Sequence, residues 1–318
     1  MAILKNIAIV GATGNVGRFI TSELLKSGHH TLTAITRGAP GAAPTPEGVK
    51  AAQTDYSHAS LVSALRGQDV LIITLSARAP RDTQAKLIQA AAEAGVRYVV
   101  PNGWGGDASH AAWADIFLGI EQRAAEQLVE TLGLKWIEFV SGFWYEFSLI
   151  GTADRYGFDF KERSVVLFDD GKAKINTTTW EQTGRAVAAL FDLDEKVIEE
   201  RYKNRNVYIS SFYVSQRDML ESALRVTDTK ESDWKITYEP SVERFASALE
   251  KVKAGDNTAF TRALYTRWFY PEKPDAAAMA WQENHKLANE ELGLPQEDLD
   301  ESTRRAIENP AKFLGTYA

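Results

Sequence analysis

The residues best suited to chemistry in this 318-residue chain begin with the cluster Gly11-Ala12-Thr13-Gly14-Asn15-Val16-Gly17. It directly follows the apolar run Ile7 to Val10 and opens a segment of helical spacing, Val16, Ile20, Leu24 and Leu25. A strand, a tight glycine turn and a helix N-terminus together make an anion site, because free N–H groups and the helix dipole face the ligand. Glycines there permit the turn, the close approach of backbone to a pyrophosphate, and tight helix–strand packing. The context on both sides turns a weak glycine triplet into a dinucleotide-binding motif, with Gly11, Thr13, Gly14, Asn15, Val16 and Gly17 as expected contacts.

The second strand ends in Thr36-Arg37-Gly38 with no acidic residue in the turn. An acid there would bond a ribose 2′-hydroxyl, whereas a guanidinium suits a 2′-phosphate and stacks on adenine. Arg37 therefore points to NADPH as the cofactor. Leu75 and Ser76, closing the fourth strand, are further expected cofactor contacts.

The elements that must position these residues follow from the pattern. Short apolar runs at 7–10, 31–36, 49–53, 70–75, 98–100 and 136–140 alternate with helical segments at 15–27, 58–66, 82–94 and 112–132. Gly28, Gly95 and Gly133 close three of those helices. This alternation predicts right-handed βαβ units and a doubly wound parallel sheet of Rossmann type in an α/β protein. The second half is richer in aromatics and less regular. Residues 161–175 predict a hairpin turning at Asp169-Asp170-Gly171, residues 177–190 a helix, 207–209 a strand, and the chain from 212 a mainly helical region. The expected organisation is a dinucleotide-binding domain over 1–150 and a smaller α+β substrate domain over 151–318, with about 175–212 returning to the first sheet.

Composition narrows the function. The chain is 44% hydrophobic and 25% charged, with a net charge of −7, which argues against a nucleic-acid surface. It has no cysteine, which excludes disulfides, thiolate nucleophiles and zinc–thiolate sites. His29, His30, His58, His110 and His285 show no metal-ligand spacing, so no metal is expected. No run approaches the roughly 18 apolar residues of a membrane span, and no secretory signal is read. A cytoplasmic location is expected, as a monomer or homodimer.

Beyond these motifs the chain resembles the NmrA-like and isoflavone reductase-like proteins, a group of atypical short-chain dehydrogenases, particularly fungal members. The resemblance covers most of the chain. It rests on the Gly-x-x-Gly-x-x-Gly spacing with Arg37, on Asp55-Tyr56, on Pro101-Asn102-Gly103-Trp104-Gly105, and on Phe143-Trp144-Tyr145-Glu146-Phe147 followed by Lys174-Ile175-Asn176-Thr177-Thr178. It implies that Asp55 and Tyr56 lie near the adenine, and Asn102, Gly103 and Trp104 near the nicotinamide. Two departures stand out. No Tyr-x-x-x-Lys pair occurs anywhere, and the lysine that relatives carry early in the helix before the sixth strand falls at Gln122. No lysine lies between Lys86 and Lys135, so no slippage of register supplies one.

The resemblance implies an NADPH-dependent reductase of an aromatic or conjugated carbonyl-type molecule. Such a reaction also needs a proton donor near the developing oxyanion. Tyr145 is the leading candidate and Gln122 a neutral hydrogen-bond donor, with Tyr156, His110 and Trp104 behind them. Trp104, Phe143, Trp144 and Tyr156 are the expected substrate-pocket lining, although such aromatics equally pack two halves of a fold together. The patch Leu264 to Tyr270 reads first as core. Two alternatives stay open: a non-catalytic NADP(H)-sensing regulator, which the glutamine at 122 would suit, and a non-redox enzyme of the same fold.

Overall fold

The computed structural model describes residues 2–38, 43–76, 78–116, 118–270 and 280–314. Its first half runs β1 (Asn6–Val10), α1 (Gly17–Ser27), β2 (Thr31–Thr36), β3 (Lys50–Gln53), α2 (His58–Leu65), β4 (Val70–Ile73), α3 (Thr83–Ala94), β5 (Tyr98–Val100), α4 (Leu118–Thr131) and β6 (Lys135–Val140). Then come β7 (Phe143–Trp144), α5 (Tyr145–Leu149), β8 (Phe158–Asp159), β9 (Ser164–Phe168), β10 (Lys174–Thr178), α6 (Trp180–Phe191), α7 (Glu195–Arg201) and β11 (Arg205–Tyr208). The chain closes with β12 (Phe212–Ser215), α8 (Gln216–Thr227), β13 (Lys235–Glu239), α9 (Ser241–Lys253), α10 (Phe260–Arg267), α11 (Trp281–Asn284), α12 (Leu299–Glu308) and α13 (Pro310–Leu314).

Seven strands form one sheet in the order β11-β6-β5-β4-β1-β2-β3, and every pairing in it is parallel. The order reverses beside β1, which is where a doubly wound sheet opens a crevice at its carboxyl edge. Both faces are covered. One core joins Ile7, Ile9, Ile20, Leu24, Phe139, Trp180 and Val187; the other joins Ala8, Val10, Leu61, Ile73, Leu87 and Val129. A parallel strand buried on both faces reads as a continuous apolar run, and β4, Val-Leu-Ile-Ile, does so.

The C-terminal part holds a third core, two small sheets and helices α8 to α12. Two expectations about the elements fail. Residues 161–175 do not form a hairpin. Gly171 makes the turn, at φ 73°, but β9 pairs with β13 and β8, whereas β10 pairs with β12 and β7. Each strand finds its partners in a different sheet, a tertiary choice the turn residues do not encode. From 212 the chain is mainly helical as expected, with β12 and β13 as short exceptions. The long helix expected at 112–132 divides into a 3-10 segment, Ala111–Ile116, and α4. Trp113 turns inward there, with its ring 5.0 Å from that of Trp268.

Candidate functional site

The glycine motif sits at the carboxyl end of β1 and its three glycines do different work. Gly11 has φ +78°, and a Cβ there would strike the carbonyl of Thr74; a Cβ at Gly17 would strike the carbonyl of Gly11. These two let α1 lie against β1 and β4. A Cβ at Gly14 would meet just Gly11 O, at 3.1 Å, and both Thr13 and Gly14 are exposed. α1 carries no side-chain cap and no acid in its first turn, so its N-terminal dipole faces outward uncompensated. Gly14 is thus the glycine that keeps room for an anion to reach the backbone, which fits a bound pyrophosphate. Ala12 and Val16 are buried anchors beneath the turn, and Asn15 is partly exposed at its rim.

At the end of β2 the exposed Arg37 guanidinium lies 6.0 Å from the centre of the Tyr56 ring. Tyr56 adopts φ +63°, rare for a bulky residue, with its N–H on Thr54 Oγ1 at 3.0 Å. Burial raises the Tyr56 phenol pKa, the Arg37 charge opposing it. Asp55 is exposed and accepts the Ser57 N–H at 2.9 Å, bonds that hold its carboxyl below the ordinary carboxylate value. Together these residues stand just past the carboxyl ends of β2 and β3, at the edge where a doubly wound sheet binds its ligand.

The other end of that edge lies at β4 and β5. Asn102 Oδ1 accepts the Leu75 N–H at 2.9 Å, and the Asn102 N–H donates to Gln84 Oε1 at 2.6 Å. Ser76 is exposed beside them. Gly103 and Trp104 follow. Trp104 is buried, its indole N–H bonded to Ile73 O at 2.9 Å and its ring stacked 5.9 Å from Phe139. The indole proton is therefore spent inside the sheet, which rules Trp104 out as a donor to ligand in this structure and makes it a wall beneath the cleft.

The two expected tyrosine donors are also turned inward, while His110 is partly exposed. Tyr145 is fully buried, with its hydroxyl on Thr303 Oγ1 at 2.6 Å, and burial raises its pKa further. Tyr156 is fully buried and donates to Thr177 Oγ1 at 2.9 Å. His110 accepts the Ala112 N–H through Nδ1 at 3.2 Å. Phe143 stacks on Tyr265 at 3.9 Å, and Trp144 packs 5.7 Å from Trp180. Of the expected aromatic lining, Tyr156 is therefore sealed in the core, while Phe143 and Trp144 keep partly exposed edges. The Leu264 to Tyr270 segment is core as well: Tyr265, Trp268, Phe269 and Tyr270 are all buried.

Gln122 is buried, and its Nε2 donates to Glu138 Oε1 and, at 3.3 Å, to Gly106 O. Both amide hydrogens face protein acceptors, so Gln122 offers none to a ligand. Its partner Glu138 was not anticipated, yet it leaves a signal: a lone acid within the apolar strand Trp136-Ile137-Glu138-Phe139-Val140. Among the described residues, no group of three or more His, Cys, Asp or Glu is placed to hold a metal, and no helix is long and apolar enough to cross a membrane.

A parallel sheet in 3-2-1-4-5-6 order, a glycine turn open at one position, and a cleft along the carboxyl edge define a Rossmann dinucleotide-binding protein. Comparison with known proteins agrees. Residues 11–142 match the family model described as NAD(P)H-binding. "Oxidoreductase aprR" of Aspergillus flavus is 28% identical over 78% of this chain and 82% of its own length. "Quinone oxidoreductase 2" of Escherichia coli is 28% identical over 80% and 84%. A solved isoflavone reductase superposes with a TM-score of 0.71 at 19% identity, covering 99% of each chain. The match over residues 11–142 marks an NAD(P)H-binding region, the whole chain shares the fold of isoflavone reductase, and its sequence is similar to that of a fungal oxidoreductase.

Proposed function

We propose that the chain is an NADPH-dependent reductase that delivers hydride to an aromatic or conjugated carbonyl-type molecule, quinones and enones being the simplest members of that class. The observation that carries the cofactor half is Arg37 beside Tyr56 at one end of the cleft, with the open position at Gly14 between them and the Asn102 loop. Arg37 would pair with the 2′-phosphate, Tyr56 would support the adenine, and the α1 N-terminus would hold the pyrophosphate. That span leaves the nicotinamide beside Leu75, Ser76, Asn102 and Gly103. NADPH, when bound, supplies the hydride. The chain binds it, orients it and shields one side of it with buried Trp104.

The carbonyl half draws on the relatives, one of which is named for quinone reduction. The test is to titrate NADPH and NADH by calorimetry, then follow the reduced-nicotinamide absorbance with quinones, enones and aromatic ketones. Turnover of any of them with NADPH supports the reading; failure to bind either dinucleotide overturns it. One observation favours a second reading, a non-catalytic NADP(H)-sensing regulator: Gln122 and both tyrosines direct their protons into the protein. Tight NADPH binding without turnover decides for that reading.

A further inference from the structure

Beneath the 102–106 loop lies a carboxyl group that the reductase reading does not use. Glu138 is 1% exposed, and its side chain fills the space under Gly103 so closely that a Cβ there would collide with Oε1. Gln122 bridges Oε1 to the carbonyl of Gly106, so the two side chains tie α4, β6 and the loop together. The same loop is fixed on either side by Asn102 to Leu75 and by Ser141 Oγ, which donates to Trp104 O at 2.9 Å.

Glu138 has no cation beside it among the described residues. Its Oε2 is buried and meets no partner at ordinary hydrogen-bond geometry, but Glu126 on α4 faces it closely enough to share its proton, and Asp107, just past the loop, adds a further carboxyl charge. Arg123 and Glu130, both on α4, act on Glu126. Beyond them a cavity of about 290 Å³, lined by Asp107, Arg123, Glu126, Glu130, Trp136 and Asn206, approaches the cluster. An unpaired buried carboxylate is costly, so the group keeps its proton. Burial and the Glu126 charge both push its pKa well up.

We propose that Glu138, as the neutral acid, is the positioning residue of the 102–106 loop, setting where that loop meets the nicotinamide end of the bound dinucleotide. This rests on the reading of the cleft as the NADPH site and not on which substrate is reduced. Ionisation places a charge facing Glu126 and Asp107, which water entering from the cavity and a parting of α4 from β6 must relieve. The loop moves with them. Because the pKa is raised, the positioned state persists above the ordinary carboxyl range and is lost as pH rises through the raised value.

The experiment is NADPH affinity by fluorescence titration from roughly pH 6 to pH 9.5, with hydride transfer followed in parallel. Affinity should weaken at the alkaline end. Glu138→Gln keeps the shape without the titration, so it should remove that weakening. Glu126→Gln removes the repelling charge and should move the midpoint down by about one pH unit. An unchanged alkaline limb in Glu138→Gln, or an unmoved midpoint in Glu126→Gln, overturns the proposal. Should Glu138→Gln not fold, Glu126→Gln, at a half-buried position, decides alone. A chain that shows this pH behaviour yet reduces nothing retains the inference and loses the reductase reading. Turnover indifferent to Glu138 does the reverse.

Discussion

Gln122, on α4, and Glu138, on β6, are joined side chain to side chain beneath the Gly103 turn. A lysine introduced at 122 would put its ammonium where the amide now meets the carboxyl, and the two would form a buried ion pair. Placing a lysine at 122, as the family resemblance implies, should therefore confer no chemistry by itself. Gln122→Lys is expected to change quinone turnover by less than about twofold, while Gln122→Lys with Glu138→Gln frees the amine and should raise it by about tenfold. Steady-state rates of the two variants check this; a gain from the single substitution would show that the ammonium escapes Glu138.

Arg37 stands exposed with its guanidinium over Tyr56, and no acid in its turn competes for a ribose hydroxyl. On the proposed reading, Arg37→Asp would remove a charge-assisted contact to the 2′-phosphate and add a repelling charge. NADPH should bind about a hundredfold more weakly, with NADH unchanged or improved. Calorimetric titration with both dinucleotides measures the ratio. Equal losses would mean that Arg37 is a solvated loop charge.

The placement of the glycine turn and Arg37 at one edge of the sheet was legible in the sequence because it is local. Gly11 to Gly17 lie in one turn, and Arg37 ends the adjacent strand, so spacing alone brought them to one edge. The proton-donor half was not, because it depends on distant partners. Tyr145 sits within an aromatic run that looks like a pocket wall, yet Thr303, far along the chain, takes its hydroxyl. Tyr156 is claimed by Thr177 in the same way. The hairpin at 161–175 failed for a related reason: the Asp169-Asp170-Gly171 turn exists, but the strands on either side pair with β13 and β12, beyond the reach of any local pattern. Glu138 is the one acid in β6, but the sequence does not assign it a role, since a strand's face depends on which helix covers it.

Stability should also carry a pH signature from Glu146. This side chain is fully buried, meets Arg305 Nη2 at 2.8 Å, and faces Glu181 and Glu297. Burial leads, and Glu181 adds, in raising its pKa from 4.5 to about 8, against the pull of Arg305. The folded chain thus holds a proton that the unfolded chain releases, so this contribution is full below about pH 4.5 and falls as pH rises through 8. The melting temperature should drop by roughly 2–6 °C more between pH 5 and pH 8 in the wild type than in Glu146→Gln. Parallel slopes for the two proteins would place the Glu146 proton elsewhere.

The three motif glycines offer a separation of fold from ligand. At Gly17 an added methyl would collide with the carbonyl of Gly11 and lie 2.7 Å from Thr74 Oγ1, both held by the β1–β4 pairing. Gly17→Ala must therefore push α1 off the sheet, at a cost of about 1–3 kcal/mol whether or not cofactor is present. At Gly14 the fold asks for much less: the backbone has no positive φ, and the only close neighbour of an added Cβ is Gly11 O at 3.1 Å. Gly14→Val projects instead into the space above the α1 N-terminus. Its melting temperature without cofactor should stay within about 3 °C of the wild type, while NADPH affinity falls by tenfold or more because the pyrophosphate no longer reaches the backbone. Thermal denaturation with and without saturating NADPH reads both quantities at once. Equal destabilisation by the two variants would mean that Gly14 serves the turn and not the ligand.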